Sequence, residues 1–169
     1  MSRATVAAAV LGGRGTQMIK GKPPRLDQVF QKYDPPVYFV TLCTNSRRQL
    51  LANDAVHSAV VEYGCEAARR GIALGRYVIL PDHIHLFVAG DVDFDLGIWI
   101  RGLKRVVAAA VSGGRSGLWQ RGFFDHLIRS SESYSEKWDY VLENPVRAGL
   151  VSSADKWPLQ GEIVPIDHE

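Results

Sequence analysis

The chain has 169 residues, of which 46% are apolar and 22% charged. Those proportions suit one soluble globular domain with a full core, and they exclude wholesale disorder, collagen and a disulfide framework. The net charge is +2, and no apolar run approaches the roughly 18 residues of a membrane span.

Charge is uneven along the chain. Residues 1–33 hold six Lys or Arg against one Asp, residues 34–149 hold thirteen of each sign, and residues 150–169 hold one Lys against four acids. The chain divides into a basic N-terminal arm (1–35), a neutral body (36–151) and an acidic C-terminal tail (152–169). A basic arm suits contact with a polyanion. Ala4–Leu11 lacks a small-residue cleavage site and is broken by Gly12, Gly13 and Arg14, which predicts no secretory signal. Cys43 and Cys65 have no metal-ligand spacing, and both are expected to be reduced core residues, as suits a cytoplasmic protein.

The arm is rich in Gly, Pro and basic residues and reads as extended, and Pro35-Pro36 marks entry to the body. Val37–Thr44 is a β-branched and aromatic run, hence a strand. Asn53-Asp54 offers an N-cap to a helix carrying Val56, Val60, Tyr63 and Ala67, stopped at Gly71. Ile72–Leu80 and His83–Ala89 are two strands joined by a tight turn at Pro81-Asp82. In a second helix Leu96, Ile100, Leu103, Val107 and Ala110 form one apolar stripe, with Arg101, Lys104 and Arg105 opposite. Residues 112–117 are a Gly/Ser loop, Phe123–Arg129 is a fourth strand, and Ser131–Glu143 is a third helix stopped by Pro145. The remainder, through Pro158 and Pro165, is expected to be loose. The order β-α-β-β-α-β plus a helix predicts an α+β, ferredoxin-like (RRM-like) split βαβ sandwich whose added C-terminal helix carries Tyr140.

Fold alone does not give function. His83 and His85, at i and i+2 of a strand, share one face, and Ile84 takes the other. Two adjacent imidazoles can hold one divalent ion, or each can be satisfied separately. Tyr140 and Asn144, at i and i+4, are expected to share a helix face. A phenol beside a metal-bound phosphodiester is a candidate nucleophile. Tyr134 lies about 240° from Tyr140 round the helix and is expected to face elsewhere.

Three segments carry a resemblance: LPDHIHLFV (80–88), LWQRGFFDHLIR (118–129), and Tyr140 followed by NPVRAGLV (144–151). With YFVTLCTNSRRQL (38–50), they resemble the REP-associated tyrosine transposases, an IS200-like, HUH-type group of single-strand transposases. The resemblance covers about residues 36–151 in unbroken order. It implies that His83 and His85 are metal ligands, that Tyr140 is the catalytic tyrosine, and that Asn144 is the third ligand. It implies Mg²⁺ or Mn²⁺ as cofactor. It further implies cleavage of single-stranded DNA beside REP-type hairpins through a 5′-phosphotyrosine, with strand transfer by reversal. Pro145 disfavours helical geometry at Asn144, so Glu143 remains the alternative ligand. IS200-type relatives are dimers that swap the tyrosine helix; the REP-associated group is expected to be monomeric.

The expected phosphate contacts are Arg14, Lys20, Lys22 and Arg25 in the arm, Arg47 and Arg48 after the first strand, and Arg101, Lys104 and Arg105 on the second helix. Asp82 either orients an imidazole or makes the turn. His126 is expected to be structural or to support a metal ligand from behind, and Trp119 and Phe123 to pack the core edge. A noncatalytic binding module for hairpin or single-stranded nucleic acid on the same fold is the competing reading. A histidine-triad nucleotide hydrolase is disfavoured, because Phe87 stands where its third histidine belongs.

Overall fold

The computed structural model describes residues 35–111, 116–129 and 131–166. The basic arm, with Arg14, Lys20, Lys22 and Arg25, lies outside the described residues, as does most of the expected Gly/Ser loop. In chain order the elements are β1 (Val37–Cys43), α1 (Asp54–Ala68), β2 (Ile72–Ile79), β3 (His83–Gly90), α2 (Leu96–Ala110), β4 (Phe124–Ile128), α3 (Ser131–Leu142), α4 (Asn144–Arg147) and β5 (Gln160–Glu162). The antiparallel sheet has the order β4-β1-β3-β2-β5. Its first four strands have the order expected of a split βαβ fold, and β5 adds an edge.

Local chemistry accounts for the elements. Asn53 caps α1 by accepting from the Val56 N–H at 3.0 Å, and Asp95 caps α2 by accepting from Ile98 N–H at 2.8 Å. Strand alternation then divides the side chains. One face of the sheet presents Tyr38, Val40, Leu42, Leu74, Ile79, Ile84, Leu86 and Val88, and α1 and α2 close over it with Val56, Val60, Leu96, Ile100, Leu103 and Val107. The other face presents Val37, Phe39, Phe87, Val78 and Leu80, and α3 lies over it with Tyr134, Trp138 and Val141. The helix carrying Tyr140 therefore sits on the opposite side of the sheet from α1 and α2.

Three expectations are corrected. The tail is not loose: β5 pairs with β2, Leu159 is buried, and the Trp157 indole donates to the Ile79 carbonyl at 2.9 Å. Cys65 is exposed, and only Cys43 is buried. Cys65 lies off the Val56–Val60–Ala67 stripe of α1, and membership of a helix does not bury a residue on its outer side. Finally, α3 ends at Leu142, and Asn144 opens the separate one-turn α4. Pro145 at the start of α4 removes a backbone donor and forces the restart. Tyr140 and Asn144 do not share the face of one helix.

No helix among the described residues is long and apolar enough to cross a membrane.

Candidate active site

The β1–β3 register builds the centre of the site. His85 faces Thr41 across the ladder, and His83 faces Cys43. The pairing of Thr41 with His85 brings Thr41 Oγ1 to 2.9 Å from His85 Nδ1. One step on, His83 Nδ1 donates to Asp82 Oδ1 at 2.6 Å. The two rings stand edge to face with centroids 4.8 Å apart. Ile84, between them, is fully buried on the opposite face.

Each Nδ1 is thus engaged, and each Nε2 is left without a protein partner among these bonds. Holding Nδ1 with a carboxylate or hydroxyl fixes the ring and directs the other lone pair outward, which is how metal-ligating histidines are commonly supported. Burial drives the His85 pKa down to about 3, with His83, Arg47 and Arg147 adding to the fall and Asp82 opposing it. The imidazole is therefore neutral at ordinary pH, the form a metal requires. The donor set fits a divalent cation, although no cluster of three His, Cys, Asp or Glu is assembled among the described residues. Any third protein ligand comes from another side-chain type or from a rearrangement.

Asp82 is itself held. Its Oδ2 pairs with Arg47 Nε at 3.1 Å, and Arg47 Nη1 also donates to Cys43 Sγ at 3.1 Å. Arg47 reaches this position because Ser46 and Arg47 adopt left-handed backbone angles, φ 56° and 53°. That conformation costs energy for residues other than glycine and tends to collect at functional sites. Thr44, fully buried, ties this turn to the β2–β3 turn: its N–H donates to the Asp82 carbonyl at 2.9 Å, and its hydroxyl bridges the Arg48 and Asp82 carbonyls.

The third component comes from α3 and α4. Tyr134 is buried against Phe87, with ring centroids 4.5 Å apart, whereas Tyr140 is 63% exposed. The two tyrosines face apart as the helical period requires. The Arg147 guanidinium lies 4.2 Å from the Tyr140 ring centroid and donates to the Tyr140 carbonyl and to Asn144 Oδ1. Its charge is also felt at His85. Arg147 thus links the Tyr140 ring and the Asn144 amide. Sequence reasoning did not single it out, although its position three residues after Asn144 was available as a signal. Asn144 is half-buried and Glu143 exposed.

The remaining sequence-predicted residues are dispersed. Arg47 joins the site. Arg48 binds the Asn45 and Gly117 carbonyls nearby. Lys104 donates to the Gln120 and Gly122 carbonyls and lies over Trp119, 5.7 Å from its centroid, and burial lowers its pKa. Arg101 and Arg105 are exposed on α2, the layer across the sheet from the histidines. Trp119 and Phe123 pack the core edge as expected. His126 is exposed on β4.

The family model described as "Transposase IS200 like" matches residues 37–141, which span every strand of the split βαβ unit and the tyrosine helix. The chain belongs to that family. A REP-associated tyrosine transposase of Escherichia coli (strain K12) is 28% identical over 124 residues, 72% of each chain. A provisionally named REP-associated tyrosine transposase of Haemophilus influenzae is 28% identical over 151 residues, 78% of this chain and 86% of the relative. A solved structure of a REP-associated tyrosine transposase bound to a REP hairpin superposes with a TM-score of 0.64 at 22% identity, covering 83% of this chain and 96% of the other. That likeness shows the shared α+β fold.

Proposed function

We propose that the protein cleaves and rejoins single-stranded DNA beside REP-type hairpins, with Tyr140 as nucleophile. The observation that carries this reading is the placement of α3. It crosses the histidine face of the sheet and leaves the Tyr140 phenol exposed, tied through Arg147 to Asn144. The family match and the REP-associated relatives support the substrate class.

His83 and His85, with Asn144 or Glu143 as third ligand, would hold Mg²⁺ or Mn²⁺, which neutralises and polarises the phosphodiester. The chain's own groups do the rest. Tyr140 Oη attacks phosphorus and forms the new P–O bond as the P–O3′ bond breaks. The phenol proton is lost to solvent and the leaving 3′ oxygen takes one up, giving a 5′-phosphotyrosine and a free 3′-OH. Attack by a second 3′-OH reverses the step and joins strands. Arg147 holds the phenol ring, and Arg47 and Arg147 supply positive charge beside the phosphate. The arm residues Arg14, Lys20, Lys22 and Arg25 and the α2 residues Arg101 and Arg105 supply sequence-independent phosphate contacts. Lys104, whose ammonium already binds two carbonyls, contributes less.

The test is incubation with labelled hairpin DNA bearing a single-stranded foot, with Mn²⁺. A covalent protein–DNA band and a shortened strand support the reading. Tight hairpin binding without cleavage under any divalent metal would establish instead a noncatalytic binding module.

A further inference from the structure

An exposed phenylalanine is common on protein surfaces and by itself means little. Phe124 is distinguished by its row. It stands opposite Thr41 on β1, and Thr41 stands opposite His85 on β3, so the three side chains lie in line on the α3 face of the sheet. Two strand spacings, ~10 Å, separate the first from the last. Phe124 is 66% exposed, and β4 is one of the two edge strands of the sheet. His126 is exposed on the same face one row on, opposite Phe39. The Phe39 ring stacks on His85 at 5.5 Å with planes 17° apart, and the Lys137 ammonium lies 5.4 Å from the Phe39 centroid. Phe124 and His126 at the open edge therefore share a sheet face with the stacked Phe39–His85 pair, and the Lys137 ammonium lies over Phe39. Asp125 alternates to the opposite face, across from Val40.

Flat rings with a neighbouring ammonium suit a nucleobase and its phosphate, whatever the base. We propose that Phe124, with His126 beside it, is a stacking site for an unpaired base of the DNA strand, next to the phosphate that Tyr140 attacks. The proposal rests on the strand-cleavage reading for its substrate, and it assigns Phe124 a role in gripping the single-stranded foot. The duplex stem, whose bases are already stacked, has no use for this platform. The exposed rings and the Lys137 ammonium suit an unpaired base and its phosphate better than a second copy of the chain pairing along β4.

The test compares the full chain with Phe124→Ala and Phe124→Trp. The probes are fluorescein-labelled hairpins with a randomised single-stranded foot, and the same hairpins with blunt ends. Binding is read by anisotropy in Ca²⁺ and cleavage in Mn²⁺. One base–aromatic stack corresponds to a loss of roughly 5- to 150-fold in affinity. Phe124→Ala should lose that much for footed hairpins and nothing for blunt ones. Phe124→Trp should keep parental affinity, and its indole fluorescence should be quenched by the foot alone. Equal weakening on both probes, or none on either, overturns the proposal. A change from dimer to monomer in Phe124→Ala with unchanged footed-hairpin affinity also overturns it and makes β4 a self-association edge. If the parent never cleaves but Phe124→Ala still loses footed-hairpin affinity, the platform stands and the nuclease reading falls. If the parent cleaves and Phe124→Ala binds footed hairpins normally, the platform alone falls.

Discussion

On the face of the sheet under α1 and α2, Val40, Leu42, Ile84, Leu86 and Val88 are fully closed from water. On the face under α3, the same strands carry Thr41, His83 and His85, half-buried, with Thr41 bonded to His85 and His83 to Asp82. The difference is one residue of strand register. Alternate positions of β1 and β3 serve the core and the site, so stability and chemistry should separate between neighbours in sequence.

The largest expected effect exploits that alternation. His83→Ala or His85→Ala should leave no detectable cleavage or covalent adduct, at a stability cost of about 1–2 kcal/mol. Ile84→Ala, between them, should do the reverse. It should cost about 2–5 kcal/mol in denaturant unfolding and retain cleavage per folded molecule. Loss of cleavage in folded Ile84→Ala, with both histidine variants active, would break the comparison.

That division was legible in the sequence, because the spacing of His83, Ile84 and His85 is a period-two pattern inside an apolar run. The strand and helix order was legible for the same reason. Other features were not. Trp157, Leu159 and Ile163 keep a period of two, but Pro158 and Gly161 interrupt the segment and hid β5. Arg47 enters the site through two successive left-handed residues, a conformation that neither Ser nor Arg advertises. Which side of the sheet α3 covers depends on the long-range packing of Tyr134 and Trp138 onto Phe87. Phe124 and His126 were legible as a pair two residues apart on one strand face, but sequence gives neither their exposure nor their alignment with His85.

A smaller effect tests how the polar face is supported. Asp82→Asn keeps the side chain's shape but removes the charge that holds His83 and pairs with Arg47. It should raise the Mn²⁺ concentration for half-maximal cleavage by about 10- to 100-fold and leave the unfolding midpoint nearly unchanged. On the dry side, Gly102→Ala should act only on stability. A Cβ at Gly102 would collide with the Tyr63 hydroxyl, which donates to the Trp99 carbonyl at 2.9 Å where α1 meets α2. The expected cost is about 1–3 kcal/mol with no change in cleavage. The smallest effect on cleavage is expected for Tyr134→Phe, since Tyr134 is 6% exposed on the side of α3 that packs on Phe87. It should retain both cleavage and adduct formation, whereas Tyr140→Phe should bind hairpins like the parent and yield neither.

Locating the covalent bond tests the central claim most directly. The protein should be trapped on footed hairpin DNA with Mn²⁺, digested with nuclease and protease, and the phosphate-bearing residue found by mass spectrometry. The account predicts a single nucleotide remnant on Tyr140. A remnant on Tyr134 or any other side chain, or cleavage with no protein-linked phosphate, would contradict it.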